Sequence, residues 1–152
     1  VETAIRPATP ADIPQLIPLI VEHAVFEAAP FFADVQFARR LAAAAFGTRP
    51  RLHLWLAAEA EKCIGYAAAS REFSTWSASE YLHLDCLFVR AASRSGGIGR
   101  QLVAAVEAHA RQMKLAQMQW QTPEWNRRAI EFYRRLGAAE LAKRRFYLDI
   151  LP

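Results

Sequence analysis

The sequence predicts one α/β domain over residues 1–152, built on a mixed, mostly antiparallel sheet flanked by about four helices. Three observations carry this expectation. First, three apolar, aromatic-rich runs at 51–60, 63–76 and 81–89 follow one another closely enough to be neighbouring strands. Second, apolar residues elsewhere recur at helical spacing, as in Ile13, Leu16, Ile17, Ile20, Ala24 and again in Ile98, Leu102, Val106, Ala110, Met113. Third, no repeat, low-complexity tract or linker interrupts a chain of 152 residues that is 53% hydrophobic, a length and composition suited to one core.

In order, "TAIRPA" (3–8) reads as a first strand. The following helix opens with Thr9 as N-cap, Pro10 at its first position and Asp12 in its first turn, and Pro18 should bend it. A second helix is expected over 34–46, ending at Gly47. The strands 51–60 and 63–76 join through a tight turn at Glu61–Lys62, and "YLHLDCLFV" (81–89) completes the set. A helix over 98–113, a strand over 115–122, a helix from Pro123 through Leu136 closed by Gly137, and a last strand over 144–150 finish the chain. The resulting order is β-α-α-β-β-β-α-β-α-β.

Composition narrows the function. The net charge is +4 and the pI about 9.4, but the cations are scattered apart from 126–135 and 143–145, and no nucleic-acid-binding motif accompanies them. No stretch approaches the ~18 apolar residues of a membrane span, and the first residues lack the pattern of a signal peptide. Cys63 and Cys86 suggest neither a disulfide framework nor a zinc site. The expectation is a reduced, cytoplasmic protein that binds no nucleic acid, membrane or metal.

The segment "RSGGIG" (94–99) stands between the strand at 81–89 and the helix at 98–113. A strand that passes through glycines into a helix N-terminus exposes backbone N–H groups and the positive end of the helix dipole, a combination that binds phosphate. It is neither a Walker A loop, since no Lys-Ser or Lys-Thr follows, nor the Rossmann G-x-G-x-x-G. Arg94-x-x-Gly97-x-Gly99 does resemble the R/Q-x-x-G-x-G/A pyrophosphate loop of the GNAT superfamily of acetyl-CoA-dependent N-acetyltransferases. "IRPATPADIPQLIPLI" is similar to that family's opening and "WNRRAIEFYRRLGA" (125–138) to its N-x-x-A-x-x-F-Y signature, so the resemblance covers essentially the whole chain. "FGTRP" (46–50), "FSTW" (73–76), "LDCLFV" (84–89) and "MQWQTPEWN" (118–126) resemble the diamine (spermidine/spermine or thialysine) acetyltransferase branch.

What the resemblance implies is specific. The fold would be a sheet splayed between its fourth and fifth strands. The backbone of Leu87, Phe88 and Val89 would pair with the pantetheine arm of acetyl-CoA, and Arg94, Ser95, Gly96, Gly97, Ile98, Gly99 and Arg100 would hold its pyrophosphate. Asn126, Ala129 and Tyr133 would contact the CoA arm. Tyr133 would also return a proton to the departing sulfur. Asp85 falls on the branch's glutamate, a base acting through water or a holder of the amine. With Tyr81, His83, Leu87 and Val89 it would share one strand face, where a carboxylate is costly unless partnered. His83 is the alternative base. Phe26, Glu27, Trp76, Gln119, Trp120 and Gln121 would complete the acceptor side, with Glu22 and Glu80 as further acids. His23, His53 and His109 show no metal spacing.

Two departures bear on the acceptor. Cys86 stands where the branch has a second acid, and "LAKRRF" replaces its acidic segment before the last strand. Diamines or polyamines, basic amino acids and amine-bearing antibiotics therefore all remain as acceptors. A homodimer is expected. A CoA-binding regulatory domain without catalysis is the alternative, and retention of Asp85 and Tyr133 argues against it.

Overall fold

The computed structural model describes residues 2–31 and 33–151. It divides into two compact units, Val1–Gln121 and Thr122–Pro152.

The first unit holds β1 (Thr3–Pro7), α1 (Ile13–Phe26), α2 (Phe37–Phe46), β2 (His53–Glu59), β3 (Lys62–Ser74), β4 (Ser79–Val89), α3 (Ile98–Gln112) and β5 (Met118–Gln119). The strands lie in sequence order in one sheet. Pairing is antiparallel from β1 to β4 and parallel between β4 and β5. Helix α1 begins after a 3-10 turn at Pro10–Asp12 and runs unbroken across Pro18. Asp12 fixes that entry: its carboxylate accepts from the Thr9 N–H at 2.7 Å and pairs with both terminal nitrogens of Arg6 at 2.7 Å. Helix α2 starts later than expected because Asp34 forms its own turn, accepting from the Gln36 N–H on its side chain and from the Phe37 N–H on its carbonyl. The β2–β3 turn is Ala60–Glu61, since Lys62 already pairs with Glu59; both turn residues have positive φ (45° and 68°), as a type I′ hairpin requires.

The sheet packs on both faces. Toward α3, Trp55, Ala57, Ile64, Ala67, Leu82, Leu84 and Val89 meet Ile98, Leu102, Val106 and Ala110. Toward α1, Leu54, Leu56, Cys63, Tyr66, Ala68 and Phe88 meet Ile13, Leu16 and Leu19, with Leu41, Ala42 and Ala45 of α2 alongside. Each helix buries one stripe, as its spacing predicts.

β4 is not regular. Leu84 pairs with Ala69 and Cys86 with Ala68, which leaves Asp85 as the extra residue of a β-bulge. Leu82 and Leu84 face α3 before the bulge, and Leu87 and Val89 face it after, while Cys86 and Phe88 face α1. The expectation that Tyr81, His83, Asp85, Leu87 and Val89 share one face is thus corrected, because the bulge resets the alternation. β5 is shorter than the 115–122 expected. Its pairing ends at His83, two positions short of the bulge, where a bent strand no longer offers a regular ladder.

In the second unit, α4 (Arg127–Arg135) starts at Asn126, not Pro123. The Asn126 side-chain oxygen accepts from the Ala129 N–H at 3.2 Å, while Asn126 N–H bonds the Pro123 carbonyl to close the preceding turn. Gly137 (φ +85°) ends the helix, with its N–H bonded to the Arg134 carbonyl and the Ala138 N–H to that of Tyr133, a Schellman arrangement. The last expected strand, 144–150, does not form: residues 138–151 carry neither helix nor strand.

Candidate active site

Among the described residues, the outer edge of β4 beyond His83 has no paired neighbour in the sheet, and the backbone of Leu87, Phe88 and Val89 pairs with β3 on the other side. Just after it the chain makes a short 3-10 turn at Ala91–Ser93 and enters the glycine segment. Ser95 and Gly97 both take positive φ, +78° and +76°. Gly97 is the N-cap of α3, and a side chain there would meet no atom within 4 Å. Space above this residue is open. The N-cap, Gly97, has no side chain to cap α3 and no acid lies in its first turn, and the first N–H groups of any α-helix lack intrahelical acceptors. Ile98, Gly99 and Arg100 therefore direct their amides and the positive helix end toward that space. The arrangement fits a pyrophosphate.

Arg94 acts beneath the turn. Its Nε donates to the Val89 carbonyl at 2.7 Å, and its guanidinium lies 4.7 Å from the Phe26 ring centre and 5.6 Å from that of Phe88. It thereby ties the glycine segment to the end of β4 and to α1. Gly65 lets the two strands close up at this level: a Cβ there would stand 2.8 Å from the Phe88 carbonyl oxygen.

Asp85, at the bulge, has a side chain that is 59% exposed, so the burial cost anticipated for it does not arise. Its carboxylate lies 3.7 Å from His83 Nε2 and accepts from the Cys86 thiol at 3.7 Å. The two candidate bases thus stand side by side, separated in sequence by Leu84, which points into the core. The Cys86 thiol is pushed up to about 12, first by burial and then by the Asp85 charge, and stays protonated at neutral pH. Cys86 also hydrogen-bonds Tyr66, whose hydroxyl burial holds well above the usual phenol value.

From Tyr66 a polar chain continues toward α1. The Tyr66 hydroxyl is 2.9 Å from His23 Nδ1, and His23 Nε2 is 3.2 Å from Glu27. The His23 ring stacks on Phe88 at 5.1 Å. His23, which shows no metal spacing in the sequence, connects Glu27 at the C-cap of α1 with the strand expected to carry pantetheine. The legible signal is the i,i+4 spacing of His23 and Glu27 at the end of one helix.

The other predicted acceptor residues are dispersed. Trp76 lies in the β3–β4 hairpin turn and is 94% exposed. Gln119 bonds Gln117, Gln121 is exposed, and Trp120 is partly buried against the core on the α3 side. Glu22 forms a bidentate pair with Arg90, whose other arm donates to the Cys63 carbonyl, and Glu80 pairs with Arg71. Both acids are committed elsewhere. Asn126, Ala129 and Tyr133 belong to the second unit, where Asn126 caps α4 and Tyr133 lies half-buried with its ring 5.3 Å from that of Phe132. A cavity of about 350 Å³ lined by Pro50, Arg51, His53, Ser70, Arg71 and Glu72 contains none of the predicted site residues. Among the described residues, no group of three His, Cys, Asp or Glu side chains is placed to hold a metal.

Comparison with known proteins points the same way as this geometry. Residues 20–138 match the family model described as acetyltransferase (GNAT) family. The chain is 26% identical over 155 residues to thialysine N-epsilon-acetyltransferase of Mus musculus, spanning 97% of this chain and 90% of that one. It superposes on AAC(6')-Iy, solved with the bisubstrate analogue CoA-S-monomethyl-acetylneamine, with a TM-score of 0.83 at 20% identity, covering 99% of this chain and 100% of the other. The aminoglycoside acetyltransferase meta-AAC0020, from an uncultured soil metagenomic sample and solved with sisomicin, gives 0.81 at 20% identity over 98% and 97% of the two chains. At these identities the structural likeness speaks to the fold.

Proposed function

Because this chain belongs to the acetyltransferase (GNAT) family, we propose that it transfers the acetyl group of acetyl-CoA to the primary amine of a small molecule. The observation that carries this reading is the junction of β4 and α3: a helix N-terminus opened by glycine with open space over Gly97, directly after a strand edge that pairs with no neighbour among the described residues. The amides of Gly97 to Arg100 would hold the pyrophosphate, and the Leu87–Val89 backbone would align the pantetheine arm as an added strand. Asp85, through water and beside His83, would take a proton from the acceptor ammonium so that a neutral nitrogen attacks the thioester carbonyl. The C–N bond forms, the C–S bond breaks, and Tyr133 would supply the proton that leaves with the sulfur.

The acceptor is read as a small amine: a diamine or polyamine, a basic amino acid, or an amine-bearing antibiotic. Relatives named for thialysine and for blasticidin-S, and neighbours solved with aminoglycosides, support that class. Glu27, half-buried and held by His23, and Asp85 would offer the negative charge that draws an ammonium in. The protein is read as a cytoplasmic homodimer acting without metal. No described helix is long and apolar enough to cross a membrane.

A screen of acetyl-CoA-dependent thiol release over polyamines, lysine analogues, aminoglycosides and peptide N-termini tests this directly. Acetyl-CoA should also raise the melting temperature, since a ligand bound only to the native state stabilises it. Gly97→Glu should abolish that shift, and Asp85→Asn should keep it while losing turnover. Absence of any shift with the unaltered chain, or full turnover by Asp85→Asn across neutral pH, would overturn the corresponding assignment.

A further inference from the structure

The hydrogen bonds at Asp85 continue without a break into the α1 side of the core, and the protons along them can be counted. The Cys86 thiol donates to the Asp85 carboxylate at 3.7 Å, and Cys86 hydrogen-bonds Tyr66. The Tyr66 hydroxyl lies 2.9 Å from His23 Nδ1, and His23 Nε2 lies 3.2 Å from Glu27. Four links thus run between two carboxylates. Tyr66 is 1% exposed and His23 9%, so bulk water does not fill a link that lacks a proton.

A carboxylate only accepts, so each end of the path needs a donor beside it. Neutral cysteine, tyrosine and histidine bring three protons to the four links, one too few. One more proton fills every link, and it does so in two ways. In the first it sits on Asp85. The Asp85 O–H then donates to the Cys86 sulfur, the thiol to the Tyr66 oxygen, the Tyr66 hydroxyl to His23 Nδ1, and Nε2–H to Glu27. In the second Asp85 is ionised. The thiol then donates to Asp85, the Tyr66 hydroxyl to the sulfur, and a doubly protonated His23 to Tyr66 and Glu27. Proton shifts along the existing links convert the first state into the second.

We propose that this path carries the proton taken from the acceptor amine away from Asp85 to His23, with Cys86 and Tyr66 as its links and Glu27 as the partner of the resulting imidazolium. Its role rests on the acetyl-transfer reading above. The step balances: Asp85 loses one proton, His23 Nδ1 gains one, and the thiol and hydroxyl each pass one on. Burial keeps both the Cys86 thiol and the Tyr66 hydroxyl protonated at rest, so neither stores charge and the protons shift together. An amine on Asp85 and acetyl-CoA along the β4 edge exclude water from that carboxylate. The path leads instead to Glu27, whose side chain is 32% exposed and can release a proton to solvent. Other charges at this margin are engaged elsewhere: Glu22 pairs with Arg90, and Arg94 bonds the Val89 carbonyl over the Phe26 and Phe88 rings. Helix α2 adds only apolar contacts to this core, such as Leu41 and Ala45. Cys86, Tyr66 and His23 are therefore positioning residues that touch no substrate.

The coupling can be read without any ligand, by nitrogen-15 NMR of the histidine rings in the full chain at pH 7. His23 Nδ1 should be protonated, because an ionised Asp85 draws the donors toward itself. Asp85→Ala frees the thiol to turn to Tyr66 and the hydroxyl to turn to Nδ1, so the Nδ1 resonance should move to the unprotonated range. With Tyr66→Phe also present, the change at 85 should leave His23 unmoved. A resonance indifferent to Asp85→Ala, or one that responds equally with the path cut, would overturn the proposal.

Turnover gives the second readout, measured with acetyl-CoA and the fastest amine of the screen above. Cys86→Ser keeps a group that both accepts and donates, and Cys86→Ala does not. The serine variant should keep most of the turnover and a curved dependence of rate on deuterium fraction. The alanine variant should lower kcat at least ~10-fold, less than the ~10²–10⁴ of an acid–base group itself because water substitutes in part. KM and the melting shift with acetyl-CoA should change little in either. Equal turnover by the two variants would mean that Cys86 only packs. Should Tyr66→Phe fail to fold, Asp85→Ala and the Cys86 pair decide. A chain that transfers acetyl to no amine would sink the reaction, while the NMR result still decides whether the path exists.

Discussion

The core between the sheet and α3 is apolar throughout, with Leu82, Leu84, Leu102 and Val106 at its centre, whereas the core between the sheet and α1 also buries His23 and the Tyr66 hydroxyl, and Asp12 lies buried where α1 begins. Even at its margin the α3 side resists charge: His53 and His109 lie 4.4 Å apart, and burial holds both below the usual histidine value. On the α1 side each buried polar group has a partner: Asp12 has Arg6 and Thr9, and His23 has Tyr66 and Glu27. The α3 side therefore contributes shape and burial alone. The α1 side, which reaches the strand edge at Phe88 and the acid Glu27, contributes oriented hydrogen bonds as well, and removing one atom there acts differently from removing volume.

Three substitutions separate the two behaviours, from the largest expected effect to the smallest. Leu102→Ala on α3 leaves a cavity in a fully buried site and should cost about 2–5 kcal/mol in denaturant unfolding. Acetyl-CoA affinity in the population that remains folded should be unchanged; a specific loss of affinity would mean that this face does more than pack. Asp12→Asn should cost about 1.5 kcal/mol, the low end for a charged hydrogen bond because Arg6 is partly exposed. Its pH signature has a definite sign. Arg6, followed by the Thr9 bonds, holds the Asp12 carboxyl well below its ordinary value. The stabilisation is therefore complete above the unfolded value of ~3.9 and is lost as the pH falls through the lower folded one. Unfolding measured from pH 7 into acid should show the unaltered chain and Asp12→Asn converging; a constant gap would refute this. Tyr66→Phe keeps the ring and removes one hydroxyl, leaving His23 Nδ1 and the Cys86 thiol without that partner. A loss of about 1 kcal/mol is expected, less than for Leu102→Ala, but the pH profile of turnover should move, which the α3 variant should not do. An unchanged profile would reduce the Tyr66–His23 chain to packing.

Much of this was legible in the sequence, for physical reasons that differ by element. The glycine turn and α4 could be placed because their chemistry is local: positive φ at Gly97 and Gly137 and an Asn cap at 126 are written in single residues. The paired strands β2 to β4 followed from consecutive apolar runs. What escaped depends on distant partners. The bulge at Asp85 is a property of register against β3, so strict alternation put Leu87 and Val89 on the wrong face. The last strand was expected over 144–150 from its alternating composition, but a composition suited to pairing does not by itself supply a ladder, and the described residues there carry none. Of the predicted site residues, the β4 edge and the glycine turn come together, and Asp85 meets His83, while Trp76 and Trp120 do not join them.

The bulge has one more consequence. It divides β4 into two stretches of opposite phase, joined by a single residue that pairs with nothing across the strand. Position 85 can exchange its carboxylate for another side chain and leave the inward and outward sequence of Cys86 to Val89 intact. Its deletion would not disturb that sequence either: Leu84 opposite Ala69 and Cys86 opposite Ala68 would become consecutive rungs of a regular ladder, with Phe88 still toward α1 and Val89 toward α3. What would go is the carboxylate and the local bend together. The acid and the bend are thus one feature, which the packing of the core does not require.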